Sequence, residues 1–107
     1  MILTIAIENT IISVGCFQEM NLRFVENIST NLARTELEYI MCFQSMFDMH
    51  GIEKRQIDGT IISSVVPQVT NIVKKATKRM TEKEERELLV KGDNFPTFFA
   101  GDIYVDE

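Results

Sequence analysis

Two short apolar runs open the chain, Ile2-Leu3-Thr4-Ile5-Ala6-Ile7 and Ile11-Ile12-Ser13-Val14-Gly15-Cys16-Phe17, separated by the polar triplet Glu8-Asn9-Thr10. Both are rich in β-branched residues and too short for separate helices, so they predict two strands joined by a turn. A second turn at Gln18-Glu19-Met20-Asn21 leads into Leu22-Arg23-Phe24-Val25-Glu26-Asn27-Ile28, where apolar and polar positions alternate as in a strand with one solvated face. The three form an antiparallel meander.

A helix follows the loop Ser29–Ala33. Thr35 and Glu38 have the spacing of a capping box, in which the hydroxyl accepts from the N–H three residues on and the carboxylate reaches back. Leu37, Ile40, Met41, Phe43, Met46 and Phe47 carry the helix to His50, and Gly51 suits a left-handed stop. This apolar face is core by its spacing, yet broad enough that part of it is expected to bury against another chain. His50 sits where the helix macrodipole favours a cation, without a visible catalytic partner, and reads as structural or solvent-facing.

Glu53–Gln56 is a solvated connector, and Asp58-Gly59 reads as a local turn before Thr60-Ile61-Ile62-Ser63-Ser64-Val65-Val66. That run lacks alternation, which predicts a strand buried on both sheet faces, central and parallel to the first. Pro67 then opens a second helix at a position where its missing N–H costs nothing. Val69, Ile72, Val73, Ala76 and Met80 share one side of it, and Lys74, Lys75, Lys78 and Arg79 lie opposite as a solvated basic face. Beyond it, Thr81 with Glu84 caps a further turn, or the helix runs on through Arg86. Leu88-Leu89-Val90 predicts a final short strand. The organisation is therefore a domain over residues 1–92 and an extension of unknown role over 93–107, whose Phe95, Phe98 and Phe99 are expected to pack on the domain or a partner.

Composition narrows the classes. A chain of 107 residues that is 45% hydrophobic supports one core. Its net charge of −5 argues against a nucleic-acid surface, which needs clustered Lys and Arg. No apolar run has the length of a membrane span, and the N-terminal stretch lacks the basic start and cleavage site of a signal peptide. Cys16 and Cys42 have no metal spacing and read as small buried hydrophobes. These features fit a cytoplasmic protein.

The Glu8-Asn9-Thr10 turn is the first candidate for chemistry. A tight turn after a buried first strand is where several nucleotide-binding folds aim backbone N–H groups at phosphate. Asn9 and Thr10 add an amide and a hydroxyl. A plain hairpin at the sheet centre accounts for the same spacing. Ser63 and Ser64 are the second candidate, because ligands of open α/β sheets collect at the carboxyl ends of strands. Strand-end capping accounts for them equally well.

These residues resemble a known family. Leu3-Thr4-Ile5-Ala6-Ile7-Glu8-Asn9-Thr10 is similar to the opening phosphate motif of type III pantothenate kinases, the family that includes the Bvg accessory factors. The usual form of that motif is apolar–Asp–apolar–Gly–Asn–Thr–Asn. Two further blocks match in order: Ile28-Ser29-Thr30 with Arg34-Thr35-Glu36-Leu37-Glu38-Tyr39, and Ile57-Asp58-Gly59-Thr60-Ile61-Ile62-Ser63-Ser64-Val65-Val66-Pro67, so the resemblance covers about residues 1–80. It implies an α/β, ribonuclease H-like half-domain of the acetate and sugar kinase, Hsc70 and actin superfamily, with a three-stranded meander followed by strands alternating with helices. Members of that superfamily have two similar domains, and this chain has the length of the first. The resemblance also implies a phosphate-binding role for Asn9 and Thr10, with Glu8, Ser63 and Ser64 around the cleft. If the family's activity is retained, it implies ATP with magnesium and a monovalent cation, for the phosphorylation of pantothenate in coenzyme A biosynthesis.

The departures bear on chemistry. The family's Asp falls on Ala6, its Gly on Glu8 and its final Asn on Ile11. Phosphoryl transfer needs a positioned phosphate, a cation and a group that orients the attacking hydroxyl. Ala6 supplies no carboxylate toward the cation. Glu8 adds a like charge, and two unit charges about 4 Å apart repel by roughly 4 kcal/mol at an effective dielectric near 20, less where solvent screens them. The family's second acidic motif, its catalytic base, is expected in the second domain, as are its pantothenate contacts. The expectation is a degenerate, catalytically silent domain acting as a binding or regulatory module. Asn9 and Thr10 would then be vestigial phosphate ligands, with no catalytic residue, metal or cofactor. The alternative is a subunit or fragment of an active pantothenate kinase completed by another chain. A nuclease on a related topology needs a carboxylate on the first strand for its two metals, which Thr4 and Ala6 do not supply. Half of a two-domain fold leaves surface uncovered, so a homodimer through the Leu37–Phe47 helix is expected, or a partner that supplies the second domain.

Overall fold

Strand β1, Ile2–Ile7, is the axis of the sheet. Its side chains alternate strictly, with Leu3, Ile5 and Ile7 fully buried and Ile2, Thr4 and Ala6 half-buried on the other face. The structure is a computed structural model, and it describes residues 1–81, 87–91 and 101–106. On one side β1 pairs antiparallel with β2, Ile11–Gln18, which in turn pairs antiparallel with β3, Asn21–Ser29. On the other side it pairs parallel with β4, Gly59–Ser64. β5, Glu87–Lys91, and β6, Gly101–Asp106, complete a mixed sheet of order β3-β2-β1-β4-β6-β5. The meander and the central parallel strand stand where the pattern predicts them. β6 has no counterpart in that prediction; it runs parallel between β4 and β5.

Two helices cover one face of the sheet. α1, Glu36–His50, starts at the predicted box: Thr35 Oγ1 accepts the Glu38 N–H at 3.2 Å, and the Glu38 carboxylate accepts the Thr35 N–H at 3.0 Å. It stops at Gly51, whose φ of 67° is the left-handed conformation a Cβ disfavours, with the Gly51 N–H donating to the Phe47 carbonyl. Tyr39, Phe43 and Phe47 are fully buried and contribute roughly 1.5–3 kcal/mol each through apolar burial. α2, Pro67–Thr81, lays Val69, Val73, Ala76 and Met80 into the same core, together with Leu3, Ile5, Ile7, Ile12, Val14 and Phe24 from the strands. Arg79 of α2 pairs with Glu36 of α1.

The register of β1 on β4 is held at its open end. The Met1 ammonium donates to the Gln56 carbonyl at 2.7 Å and to the Asp58 carboxylate at 2.6 Å, and the Asp58 N–H donates to the Met1 carbonyl at 2.7 Å. Asp58-Gly59 is therefore an entry into β4 and not the local turn its composition suggests. β4 is buried throughout, as its unbroken apolar run requires, but it ends at Ser64. Val65 and Val66 lead into α2, since the residue before a proline is pushed out of the helical region.

Neither helix lies on the opposite face of the sheet. There Thr4, Ala6, Ser13, Gly15, Phe17 and Ser63 are among the residues lining a shallow hollow of about 250 Å³. Gly15 is part of this lining, where an added Cβ would lie 2.7 Å from Thr4 Oγ1 and force a shift. The domain boundary expected near residue 92, the Thr81–Arg86 cap and the expected packing of Phe95, Phe98 and Phe99 fall outside the described residues.

Candidate functional site

The carboxyl ends of β1 and β4 meet at one edge of the domain. Ile7 pairs with Ser64 and Ala6 with Ser63, and the Val65 N–H donates to the Ile7 carbonyl at 3.1 Å. One residue beyond Ile7 the chain turns back on itself, closed by the Glu8 N–H donating to the Ile11 carbonyl at 3.0 Å. Glu8, Asn9 and Thr10 are all exposed on this turn. Among the described residues the N–H groups of Asn9 and Thr10 donate to no backbone carbonyl.

Thr30, just past the end of β3, grips this turn from outside. Its hydroxyl donates to the Glu8 carbonyl at 2.8 Å, and its N–H donates to the Thr10 carbonyl at 2.9 Å. Arg34 holds the same strand end to α1, donating to the Ser29 carbonyl at 3.0 Å while its guanidinium lies 5.3 Å from the Tyr39 ring centroid. Burial pushes the Tyr39 hydroxyl above its usual pKa, so it stays neutral beside that cation.

On the β4 side the two serines part company. Ser63 faces the open hollow together with Ala6 and Ser13. The Ser64 hydroxyl accepts the Val66 N–H at 2.9 Å and so forms the turn that launches α2. The first turn of α2 lies next to it, with the Val69 and Thr70 N–H groups donating to the Val66 carbonyl. The structure thus brings Glu8, Asn9, Thr10, Ser63 and Ser64 to one edge, as the sequence reading requires. Sequence reasoning missed Thr30. It lies inside the quoted Ile28-Ser29-Thr30 block, but its bonds to the turn exist only because Ser29 pairs with Ile11.

The arrangement suits an anion better than a cation. Exposed N–H groups and hydroxyls on the turn are donors for phosphate oxygens, and a helix begins beside them. The position from which a carboxylate could reach a cation is the Ala6 methyl, on the open face. Among the described residues the turn's donors fit a phosphate group, and the Ala6 methyl supplies no ligand to a metal that would accompany it.

The other candidate chemistry lies away from this edge. Cys16 is fully buried on the core side of β2, and desolvation pushes its thiol pKa up. His50 stacks on Phe24 with ring centroids 4.7 Å apart, and its Nε2 lies 3.6 Å from the Glu26 carboxylate. Of the two readings the sequence leaves open, structural or solvent-facing, this contact matches the first. No helix among the described residues is long and apolar enough to cross a membrane.

A model of the type III pantothenate kinase family matches residues 2–94. The type III pantothenate kinase of Roseiflexus sp. strain RS-1 is 41% identical over 70 residues, which are 65% of this chain and 28% of that protein. The protein of the same description from Halalkalibacterium halodurans is 42% identical over 67 residues, 63% of this chain and 26% of its own length. That of Brevibacillus brevis is 37% identical over 84 residues, 78% of this chain and 33% of its own length. The chain thus spans about a third or less of the curated relatives it matches.

Proposed function

This chain belongs to the type III pantothenate kinase family, and from that premise we propose that it is a phosphate-cradling kinase half-domain that does not transfer phosphate by itself and serves as a binding or regulatory module. The observation that carries the reading is the pairing of a kept turn with a lost carboxylate. Asn9 and Thr10 remain exposed at the joint edge of β1 and β4, while Ala6 stands where the family's motif has Asp. Phosphoryl transfer without a held cation leaves the developing charge unmatched. ATP with magnesium therefore binds weakly in this reading.

The sheet face that neither helix covers among the described residues favours a second reading, in which another chain completes an active ATP-dependent pantothenate kinase. The hollow over Thr4, Gly15 and Phe17 is apolar surface that a second body would bury. The exposed Leu37, Met41 and Met49 on the outward side of α1 separately support a homodimer, which would leave that hollow open. The test is phosphorylation of pantothenate by the purified chain with ATP and magnesium, alone and with candidate partner chains. No turnover alone is expected. Turnover by the single chain overturns the first reading, and turnover only with a partner establishes the second.

A further inference from the structure

We propose that Thr30 is a positioning residue for the phosphate turn, its hydroxyl locking the Glu8–Asn9 peptide so that the Asn9 N–H faces outward to an anion. The inference rests on the reading of that turn as a phosphate cradle. A trans peptide is planar, and its C=O and N–H point in opposite directions. Every peptide bond described here is trans. The Thr30 hydroxyl holds the Glu8 carbonyl at 2.8 Å, on the side toward the end of β3. The N–H of the same peptide unit, which belongs to Asn9, is therefore directed away from β3.

The Glu8–Asn9 unit is the first peptide of this turn, and opposite changes in the soft Glu8 ψ and Asn9 φ dihedrals would rotate it. A rotated Glu8–Asn9 unit would present a carbonyl oxygen where the donor had been, replacing attraction with repulsion for an arriving phosphate. The turn's own closing bond does not prevent this, because it uses the Glu8 N–H and the Ile11 carbonyl, which lie outside that unit. Among the described residues, the Thr30 hydroxyl is the side-chain group that bears on it. Thr30 is itself well placed to hold position. Its N–H is fixed to the Thr10 carbonyl at 2.9 Å, and its neighbour Ser29 is bonded through its carbonyl to Arg34 at 3.0 Å. The backbone half of this grip survives any side-chain change, so the hydroxyl can be examined separately.

The experiment is an NMR titration of the full chain carrying Glu8→Gln, which removes the repelling charge, with inorganic tripolyphosphate followed at the Asn9 and Thr10 amides. Adding Thr30→Val should weaken binding about tenfold or more, the scale of one lost hydrogen bond to a charged group. Thr30→Ser should restore it, and thermal midpoints should differ little because Thr30 lies half-exposed just beyond a strand end. Thr30→Ala serves as a second variant if valine disturbs folding. Equal affinity in the Val and Ser variants overturns the proposal and leaves the cradle standing. No saturable shift in the Glu8→Gln chain with Thr30 intact overturns the cradle, and the proposal with it.

Discussion

Ala6 and Ser63 face each other across the parallel pairing of β1 with β4, both on the sheet face away from the helices. A carboxylate placed at position 6 would hang beside the Glu8–Thr10 turn over the hydroxyl-lined end of the hollow. Ala6→Asp with Glu8→Gly is therefore expected to raise ATP–magnesium affinity without producing turnover. Glu8 is exposed, so its repulsion is set by bulk solvent: about 1 kcal/mol at 4 Å, roughly fivefold in affinity. Most of the gain should come from the aspartate. Calorimetry decides the matter, and sub-millimolar ATP affinity in the unaltered chain, abolished by Thr10→Val, would show that the substitutions do not silence the turn.

Gly15 and Thr4 are coupled by contact. Gly15→Ala brings a Cβ to 2.7 Å from Thr4 Oγ1, which forces a shift and should cost about 1–3 kcal/mol. Thr4→Ala removes the obstructing atom, so the double variant should recover most of that loss. Urea unfolding of the four proteins in the cycle measures the coupling, and strict additivity would refute it.

The cap of α1 makes part of the stability acid-sensitive. Hydrogen bonds from Thr35 lower the Glu38 pKa below its ordinary value of 4.5. A depressed carboxylate contributes stability that is complete above 4.5 and is lost as pH falls through the lower folded value. Glu38→Gln should flatten the acid limb of the thermal midpoint. Thr35→Ala should cost about 1 kcal/mol at neutral pH. An unchanged acid limb in Glu38→Gln would place the acid sensitivity elsewhere.

The outward side of α1 should govern association. Leu37, Met41 and Met49 are 57%, 59% and 72% exposed, while Phe43 and Phe47 are inside. The broad apolar face read from sequence thus divides into an aromatic core side and a Leu/Met surface side. Light scattering should show a dimer at micromolar concentration, reduced to monomer by Met41→Glu. A monomeric unaltered chain ends the idea.

The fold was most legible where local signals agree with tertiary demands. The alternation of β1, the Thr35–Glu38 box and Gly51 each specify one conformation, and the structure adopts all three. The end of β4 was less legible because Val65 and Val66 continue the apolar run, while the Ser64 hydroxyl and Pro67 break the strand there. β6 escaped notice because its apolar residues, Ile103-Tyr104-Val105, make too short a run to mark a strand without its partners. At the candidate site the turn itself could be read from its residue types. The grip of Thr30 could not, since it depends on how β3 registers against β2.

The central place of β1 has a consequence for how the chain comes together in time. Its antiparallel neighbour β2 follows after a short turn, so that pairing can form as soon as both strands exist. Its other neighbour begins at Gly59, which pairs with Ile2 across more than half the sequence. During synthesis one edge of β1 has no partner until β4 emerges, and closing that long loop carries the larger entropic cost. The interval exposes the row of backbone groups from Ile2 to Ile7, beside Leu3, Ile5 and Ile7 not yet covered by α2. A nascent chain stalled at that stage has its stickiest strand uncovered.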